Sequence, residues 1–365
     1  MLPVPGRVHG WGWAVVLAFL VSGCATGAGS PHAPPSPDPT GLEAAEADPT
    51  ALPPGVRVFR SDGTPSSWDE LLDEASRRRV ILLGEVHNDT LGHRARHALV
   101  RALADVPGEA DPGAETSGMG GGCVPHVISL EMLETDVQGV LDEYQSGLIT
   151  RDHFLAAARP WENHDRDYEP YLELARECGF PVVAANPPRR YVNLVARQGE
   201  EALDALSPEA RAFLPPLPVA RPSDRYRAEW NAVMGAIMEH RSGEAGAEGT
   251  DPAPAPHSDP DPHAEPHAGP AAEAPEDPLL KAQNLWDAGM AWAVARAAKS
   301  HPQARVVHVA GAFHVQSGTG LPEHLDGYLP EEEPLLVVAY PVPPGTGFDA
   351  EHHTGLGHFI LLSDR

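Results

Sequence analysis

The stretch VILLGEVHND, residues 80–89, begins as a continuous apolar run and then turns abruptly to glycine, glutamate and histidine. Because the run does not alternate apolar with polar residues, it predicts a strand buried on both faces of a sheet. A second stretch, RVVHVAGAFHVQSG over residues 305–318, ends in the same way, with Gly311 three residues before His314. Two strands that both end in Gly-x-x-His predict that their polar ends serve one site.

Elsewhere the sequence alternates between apolar runs and amphipathic segments. Further strands are predicted in HVISLEML, PVVAAN, PLLVVAYP and GHFILLSD, and helical spacing predicts helices in SWDELLDEASRR and over residues 90–104, 225–241 and 278–301. Ser67 stands where the N-cap of the first helix is expected. Buried strands separated by helices predict an α/β fold, with a mostly parallel central sheet sandwiched by helices.

The first 54 residues predict export and a lipid anchor rather than a folded unit. The apolar stretch WGWAVVLAFL has the length of a signal-peptide core, and the VSGC that follows resembles the lipobox of bacterial lipoproteins. We predict a signal peptide over residues 1–23, a lipid on Cys24 and a proline-rich disordered tether over residues 24–54. A plain secretory signal or an uncleaved anchor is the alternative. Ala25 is not the aspartate that retains many lipoproteins in the inner membrane, so we expect the periplasmic face of the outer membrane.

Composition limits the partners and places the folded part of the chain. The 365 residues are 42% hydrophobic, which allows a sizeable core, and we expect one domain over residues 55–365. An acidic, proline-rich tract at about residues 242–278 predicts a disordered insertion within it. The formal charge of −26 argues against nucleic acid, because phosphate binding needs a basic surface. Cys123 and Cys178 could pair in an exported protein or remain two unpaired small residues.

Polar side chains follow four of the predicted strands, namely Glu85 with His87, then Glu131, Asn186 and His314. Because the carboxyl ends of parallel strands meet at one edge, we expect these side chains to gather there. The predicted metal ligands are His87, Glu131 and His314, a set suited to a divalent ion that activates water. In such a hydrolase Glu85 would be the general base, its pKa raised by burial near other carboxylates. Alternatively each residue is structural, bonded to backbone or capping a helix.

Two further histidines, His93 and His97, lie four residues apart and would share one helix face. They lack the glutamate of a zinc-protease helix, so we expect His93 beside the strand-end site and His97 on a solvated face. Met290, in DAGMA, favours packing over a role as an axial ligand.

Several of these motifs occur in an order that resembles one family. Their order is similar to that in the ChaN family of iron-regulated haem-binding lipoproteins, and the lipobox fits the same family. The motifs are LLGEVHND, SLEM, RPWENHDRDYEPYLELAR, AANPPRRYVN, DAGMA and VAGAFHVQSGTGLPEHL. The resemblance covers about residues 67–325 apart from the insertions. It implies a fold like that of the erythromycin esterases and Tiki/TraB proteins, and a homodimer that holds haem through tyrosine, with histidine contacting the propionates.

The candidate haem-binding residues follow only from the resemblance and from the types of residue beside each tyrosine. Tyr168 and Tyr171, in the segment that also carries His164, are the first candidates for the iron ligand. They could equally be core residues, since both fall on an amphipathic helix. Tyr191 is the second choice, because Arg189 and its neighbour Arg190 could meet a propionate. No Cys-x-x-Cys-His occurs, so covalent c-type attachment is excluded.

Two functions therefore stand side by side. In the first, a lipid-anchored exported protein binds haem for haem and iron acquisition without turnover. In the second, the strand-end residues perform hydrolysis of the erythromycin esterase or Tiki type, with or without a divalent metal. The motif order and the lipobox favour the first function.

Overall fold

A computed structural model describes residues 48–105, 122–245 and 277–365 of the chain. Its strands are β1 (Val56–Arg60), β2 (Pro65–Ser66), β3 (Val80–Glu85), β4 (His126–Glu134), β5 (Val182–Asn186), β6 (Arg305–Gly311), β7 (Leu335–Val342) and β8 (Phe359–Asp364). The predicted signal peptide and lipid site, most of the predicted tether and most of the acidic insertion lie outside the described residues.

The α-helices connect these strands. They are α1 (Trp68–Ser76), α2 (Thr90–Asp105), α3 (Gln138–Gln145), α4 (Arg151–Ala158), α5 (His164–Asp167), α6 (Glu169–Cys178), α7 (Arg189–Gln198), α8 (Pro208–Arg211), α9 (Asp224–Ala245), α10 (Pro278–Ser300), α11 (Ala312–Val315), α12 (Leu321–Tyr328) and α13 (Ala350–His353). Short 3₁₀ helices cover Thr135–Val137, Glu200–Ala205 and Gln316–Gly318. Within these described ranges, no helix is both long and apolar enough to cross a bilayer.

The strands form a single described sheet in the order β2-β1-β8-β7-β3-β6-β4-β5. Every pairing from β8 to β5 is parallel, and only β1 pairs antiparallel, with β2 and with β8. The predicted α/β fold with a mostly parallel sheet is confirmed. The antiparallel edge was not predicted, because VRVFR is a short alternating run and its partner strand lies at the far end of the chain.

Helices cover both faces of the sheet, as continuous apolar strands require. On one face, side chains from α1, α2, α3, α4 and α6 pack against alternate residues of the central strands, such as Leu83 and Val309. On the other face, α10 and α12 cover the remaining residues, such as Leu82 and Val306. The sheet is therefore buried on both sides, and its carboxyl edge is the place where polar loops can gather.

Two local features fix the helices that carry the site. Ser67 caps α1 as predicted: its hydroxyl accepts from the Glu70 amide at 3.1 Å, and the Glu70 carboxylate accepts from the Ser67 amide at 3.3 Å. At Gly289, a Cβ atom would stand 2.0 Å from Cγ of Pro187. The absence of a side chain therefore lets α10 lie directly against the loop after β5.

A disulfide joins Cys123, just before β4, to Cys178 at the end of α6. The sequence left the pairing of these two cysteines open, and the structure decides for the bridge. A disulfide of this kind persists in an oxidising compartment.

Candidate functional site

The carboxyl edge of the sheet brings together residues from β3, β4 and α11, the short helix after β6. Gly311, the last residue of β6, is the point of contact between them. A Cβ atom there would stand 3.1 Å from Cε1 of His87 and 3.6 Å from Oε2 of Glu131. The Gly311 amide donates to that same Glu131 oxygen at 2.6 Å. The glycine therefore lets the two Gly-x-x-His segments close into one cleft, as the sequence predicted.

Glu85 lies at the end of β3 and is completely buried. Its Oε1 accepts a hydrogen bond from the Tyr168 hydroxyl at 2.6 Å and lies 2.9 Å from Nδ1 of His87. Its Oε2 accepts from the buried Arg96 guanidinium at 3.0 Å and lies 3.5 Å from Nδ1 of His93. Glu85 is thus a buried anion surrounded by donors from α2 and from the segment before α6.

The prediction that burial raises the pKa of Glu85 was wrong. Burial by itself does raise the pKa, but the charge of Arg96, the charge of His93 and the hydrogen bond from His87 together lower it to about 2. A carboxylate that holds its charge so firmly is a poor proton acceptor at neutral pH. Its role is to orient and charge His87 rather than to act as the base itself.

His87 keeps part of its ring at the surface of the cleft, with its side chain 14% exposed. Its ring meets the Trp161 ring edge-on, with the two centroids 4.7 Å apart. Burial lowers the pKa of His87, yet the hydrogen bond and charge of Glu85 outweigh burial and raise it above its ordinary value. His93 packs directly behind it, and its Nε2–H donates a hydrogen bond to the His87 carbonyl oxygen at 3.0 Å, so it lies beside the site as predicted.

His97 does not lie on a solvated face as the sequence led us to expect. Its Nε2 lies 3.1 Å from the Pro170 carbonyl oxygen, and its ring packs edge-on against Tyr171. The helical spacing was right, but α6 covers that side of α2, which the spacing alone does not show.

The second half of the site is a line of three ionisable side chains. Nδ1 of His314 lies 2.6 Å from Oδ1 of Asp287 on α10, and its Nε2 lies 3.5 Å from Oε1 of Glu131. The Tyr226 hydroxyl, on α9, donates to the other oxygen of Asp287, and Gln283 lies 3.0 Å from Nδ1 of His314. Asp287 is completely buried.

The charges of this line reinforce one another. Burial lowers the pKa of His314, but the carboxylates of Glu131 and Asp287 raise it to about 10. Burial raises the pKa of Glu131, but His314 and His87 lower it to about 2. At neutral pH His314 is therefore a buried cation between two anions, suited to stabilising negative charge.

The predicted metal ligands, His87, Glu131 and His314, do reach the same cleft. Their Nδ1 atoms and carboxylate oxygens are already engaged with protein partners, as described above. Across the ranges that the structure describes, no group of three or more His, Cys, Asp or Glu residues is arranged to hold a metal ion. A divalent metal at this edge stays a prediction. Asn186, also expected here, ends β5 beside Glu134, and its Oδ1 is buried without a described hydrogen-bond partner.

The first candidates for the haem ligand are core residues. Tyr168 and Tyr171 are completely buried, which is the alternative that the sequence left open. Burial and the nearby Glu85 charge raise the pKa of Tyr168 well above its usual value, and burial does the same for Tyr171. Neither phenol can reach a ligand at the surface unless the surrounding side chains move.

His164 is likewise buried, and its Nε2 lies 2.9 Å from a carboxylate oxygen of Glu169. Its ring packs against Phe154 at a centroid distance of 5.7 Å. In this arrangement His164 supports the helix start rather than facing a propionate.

The second-choice residues lie in a different environment. Tyr191 is half-buried, and the Arg190 guanidinium lies over its ring at 4.4 Å from the centroid. Beside it an open groove of about 420 Å³ is lined by Glu134, Arg159, Arg189, Arg190 and Asn193. A half-buried tyrosine beside a cluster of guanidinium groups fits the chemistry of a haem, whose edge carries two carboxylates.

Sequence reasoning missed the partners that set the charges of the site. Asp287 lies in the DAGMA motif, and no role was predicted for it. Met290 of the same motif is a buried core residue. Arg96 lies between the two histidines of α2, and no role was predicted for it. The only available signal was a charged residue on the apolar face of an amphipathic helix, which indicates a buried partner.

Residues 71–325 match the family described as "Haem-binding uptake, Tiki superfamily, ChaN". A solved structure titled "Cofacial heme binding to ChaN of Campylobacter jejuni" is similar in fold, with a TM-score of 0.55 and 15% sequence identity. The alignment covers 85% of this chain and 97% of that chain. No curated protein sequence matches the chain.

Two more distant structures also align. The type III effector HopBA1 has 11% identity and a TM-score of 0.37, and the alignment covers 85% of this chain and 98% of that chain. A mutant of the erythromycin esterase EreC in its open conformation has 14% identity and a TM-score of 0.38. The alignment covers 85% of this chain and 83% of that chain. Similarity at this level carries no argument about function.

Proposed function

This chain belongs to the haem-binding ChaN family of the Tiki superfamily, and from that premise we propose that it is a lipid-anchored, exported haem-binding protein that serves haem and iron acquisition. The single observation that carries the proposal is the family match, which extends over residues 71–325 and so includes both Gly-x-x-His segments and the arginine-lined groove. The proposal places the chain at the periplasmic face of the outer membrane, with the lipid on Cys24, and includes a homodimer.

The residues that fit haem are those at the groove rather than those in the core. Tyr191 is half-buried next to the groove, and tyrosinate is a known ligand of haem iron. Arg189 lies on the first turn of α7, at the rim of the same groove, and supplies a cation for a propionate. In this proposal the protein binds and positions haem, and no turnover is required of it.

The test is a hemin titration of the full chain in detergent, followed by the Soret absorbance. We expect saturation with a defined stoichiometry, and a shift or loss of the Soret band in Tyr191→Phe. Tyr328→Phe is the matched control, because that half-buried tyrosine at the end of α12 packs against Trp292 of α10, outside the groove. A chain that shows no saturable Soret change would overturn haem binding, and a Tyr191→Phe spectrum identical to the unsubstituted one would overturn the ligand assignment.

The lipid anchor and the dimer have separate tests. Cys24→Ser should abolish the incorporation of labelled palmitate and release the chain from the membrane fraction. Light scattering with and without hemin should give the mass of two chains. An unchanged membrane fraction in Cys24→Ser, or a single-chain mass under both conditions, contradicts the corresponding part of the proposal.

A second candidate function, hydrolysis at the strand-end cleft, is favoured by one specific observation, the line of Asp287, His314 and Glu131. In that candidate His87, oriented by Glu85, would accept the proton of the attacking water, and the His314 cation would stabilise the developing charge. Activity on a panel of activated esters should then disappear in His87→Ala and persist in His324→Ala, which removes a buried histidine bonded to Asn284 instead. Equal rates in the two variants, or an absence of turnover, would reject this candidate.

A further inference from the structure

The groove beside Tyr191 carries a charge opposite to that of the molecule. The chain has a formal charge of −26, yet the groove gathers Arg159, Arg189 and Arg190. The carboxylates in contact with these arginines are those of Glu134 and Asp136. Three cations against two anions leave a local excess of positive charge. This positive groove on an acidic protein favours the binding of an anion.

Two of the arginines are held side by side by one carboxylate. One Asp136 oxygen accepts from Arg159 at 2.8 Å, and the other accepts from Arg190 at 2.5 Å. Each guanidinium has five N–H donors, so these bonds use only part of each group. The side chains of Arg159 and Arg190 are 52% and 47% exposed, which leaves their remaining donors facing the groove and the solvent. The pair is thus oriented in advance for a further acceptor.

The third arginine is free. Arg189 makes no ion pair or hydrogen bond with any residue in the described part of the chain, although it is exposed at the groove. It lies on the first turn of α7, whose cap residue Pro188 supplies no side-chain acceptor. The first backbone N–H groups of a helix lack partners within the helix, and its dipole is positive there. Both the side chain and the helix end therefore favour an anion at this point.

The backbone turns at Arg159, at the end of α4. This residue follows α4 in the left-handed region, with φ of 55° and ψ of 45°, a conformation that favours glycine or asparagine. This turn places the Arg159 side chain at the groove. What the side chain contacts is Glu134, Asp136 and the groove.

We infer that Arg159, Arg189 and Arg190 bind the two propionate carboxylates of haem, and that this groove makes the protein selective for a porphyrin with free carboxylates over its ester. The inference rests on the proposed haem binding and adds the feature of the ligand that is recognised. Guanidinium groups bind carboxylates with two parallel hydrogen bonds, and an ester offers neither the charge nor the second strong acceptor. The Tyr191 ring lies under the Arg190 guanidinium, next to the groups that would bind the carboxylates.

The test compares hemin with hemin dimethyl ester, titrated into the full chain in the same detergent. The unsubstituted protein should bind hemin at least about tenfold more tightly than the ester, since charge-assisted hydrogen bonds of this kind correspond to that factor or more. Because this comparison changes the ligand and not the protein, it does not depend on how a variant folds.

Two variants locate the effect. Arg189→Ala removes the free guanidinium, and Arg159→Gly removes a guanidinium while relieving the left-handed backbone, so the second is expected to fold at least as well as the parent. Each should weaken hemin binding by about tenfold and leave ester binding nearly unchanged. Arg77→Ala is the control, because Arg77 is an equally exposed arginine paired with Asp73 just before β3, at the opposite edge of the sheet.

The outcomes separate the two proposals. Saturable hemin binding with the expected ester discrimination, lost in both groove variants, supports the inference. Saturable hemin binding with equal affinity for the ester, or with both groove variants unchanged, overturns the inference and leaves haem binding standing. An unsubstituted chain that binds neither porphyrin overturns the proposed function and the inference with it.

Discussion

The two Gly-x-x-His segments have the same spacing and reach the same cleft, yet their histidines have different surroundings. His87 is paired with Glu85, two residues earlier on its own strand, and that carboxylate is shared with Arg96. His314 is paired with Asp287 from a distant helix and has a second anion on its other side. The carboxylates of Glu131 and Asp287 raise the pKa of His314 to about 10, whereas the pKa of His87 is raised by the hydrogen bond and charge of Glu85 and is opposed by the charge of His314. The shared motif therefore sets the position of each histidine, and the carboxylates that face each ring set its charge.

The largest expected effect concerns the shared carboxylate. Glu85→Ala would leave the completely buried Arg96 without its carboxylate, and the acceptor that remains among the described residues is Nδ1 of His93, 3.0 Å from Nη2 of Arg96. The Nε and Nη1 atoms of Arg96 have no hydrogen-bond partner among those residues. We expect a loss of about 3–5 kcal/mol in the free energy of unfolding, measured by urea denaturation. Glu85→Gln, which keeps an acceptor oxygen, is the control and should lose less. If the two variants were equally stable, the charge of Glu85 would not be what holds this half of the site.

The two glycines should respond unequally to alanine. A Cβ at Gly84 would stand 3.2 Å from the backbone Cα of Ala312, which cannot move aside, whereas a Cβ at Gly311 meets the ring of His87. We expect Gly84→Ala to cost about 1–3 kcal/mol and Gly311→Ala less, since a side chain can rotate away. Urea denaturation gives both values. The reverse order would show that the His87 ring is held more rigidly than the strand itself.

The smallest effect is a change in titration. Asp287→Asn should lower the pKa of His314 by about 1–2 units, because one of its two anions is lost. A histidine with a raised pKa contributes stability that is complete below its unfolded pKa, near 6.5, and is lost as the pH rises through about 10. The fall in stability between pH 7 and pH 10 should therefore be smaller in Asp287→Asn than in the parent.

NMR titration of the His314 ring measures the pKa directly, and urea midpoints across this pH range measure its effect on folding. At acid pH the dependence of stability on pH has the opposite sign. Glu85 and Glu131 have a pKa of about 2, so their contribution is present above about 4.5 and is lost as the pH falls toward 2. A His314 titration that is the same in both proteins would mean that Glu131 alone sets its charge.

Much of the fold could be predicted from local sequence patterns. Continuous apolar runs identified the parallel strands, and helical spacing placed α1, α2, α9 and α10 within a few residues of their observed bounds. The short strand β1 escaped prediction because its pairing with β8 depends on residues about 300 positions away. The same limit applies to the candidate site, where Glu85, His87, Glu131 and His314 were identified but Asp287 and Arg96 were not.

What the sequence alone determined is where polar groups leave buried strands, and parallel strands bring those ends to one edge whatever the rest of the chain does. What only the tertiary structure decided is depth and charge. Helical spacing shows which side chains share a face, but whether that face is covered depends on another element: Tyr168 lies under such cover, and Tyr191 remains within reach of solvent. Likewise, the charge of a buried histidine depends on carboxylates that fold against it from distant positions, because electrostatic interactions act through space and not along the chain.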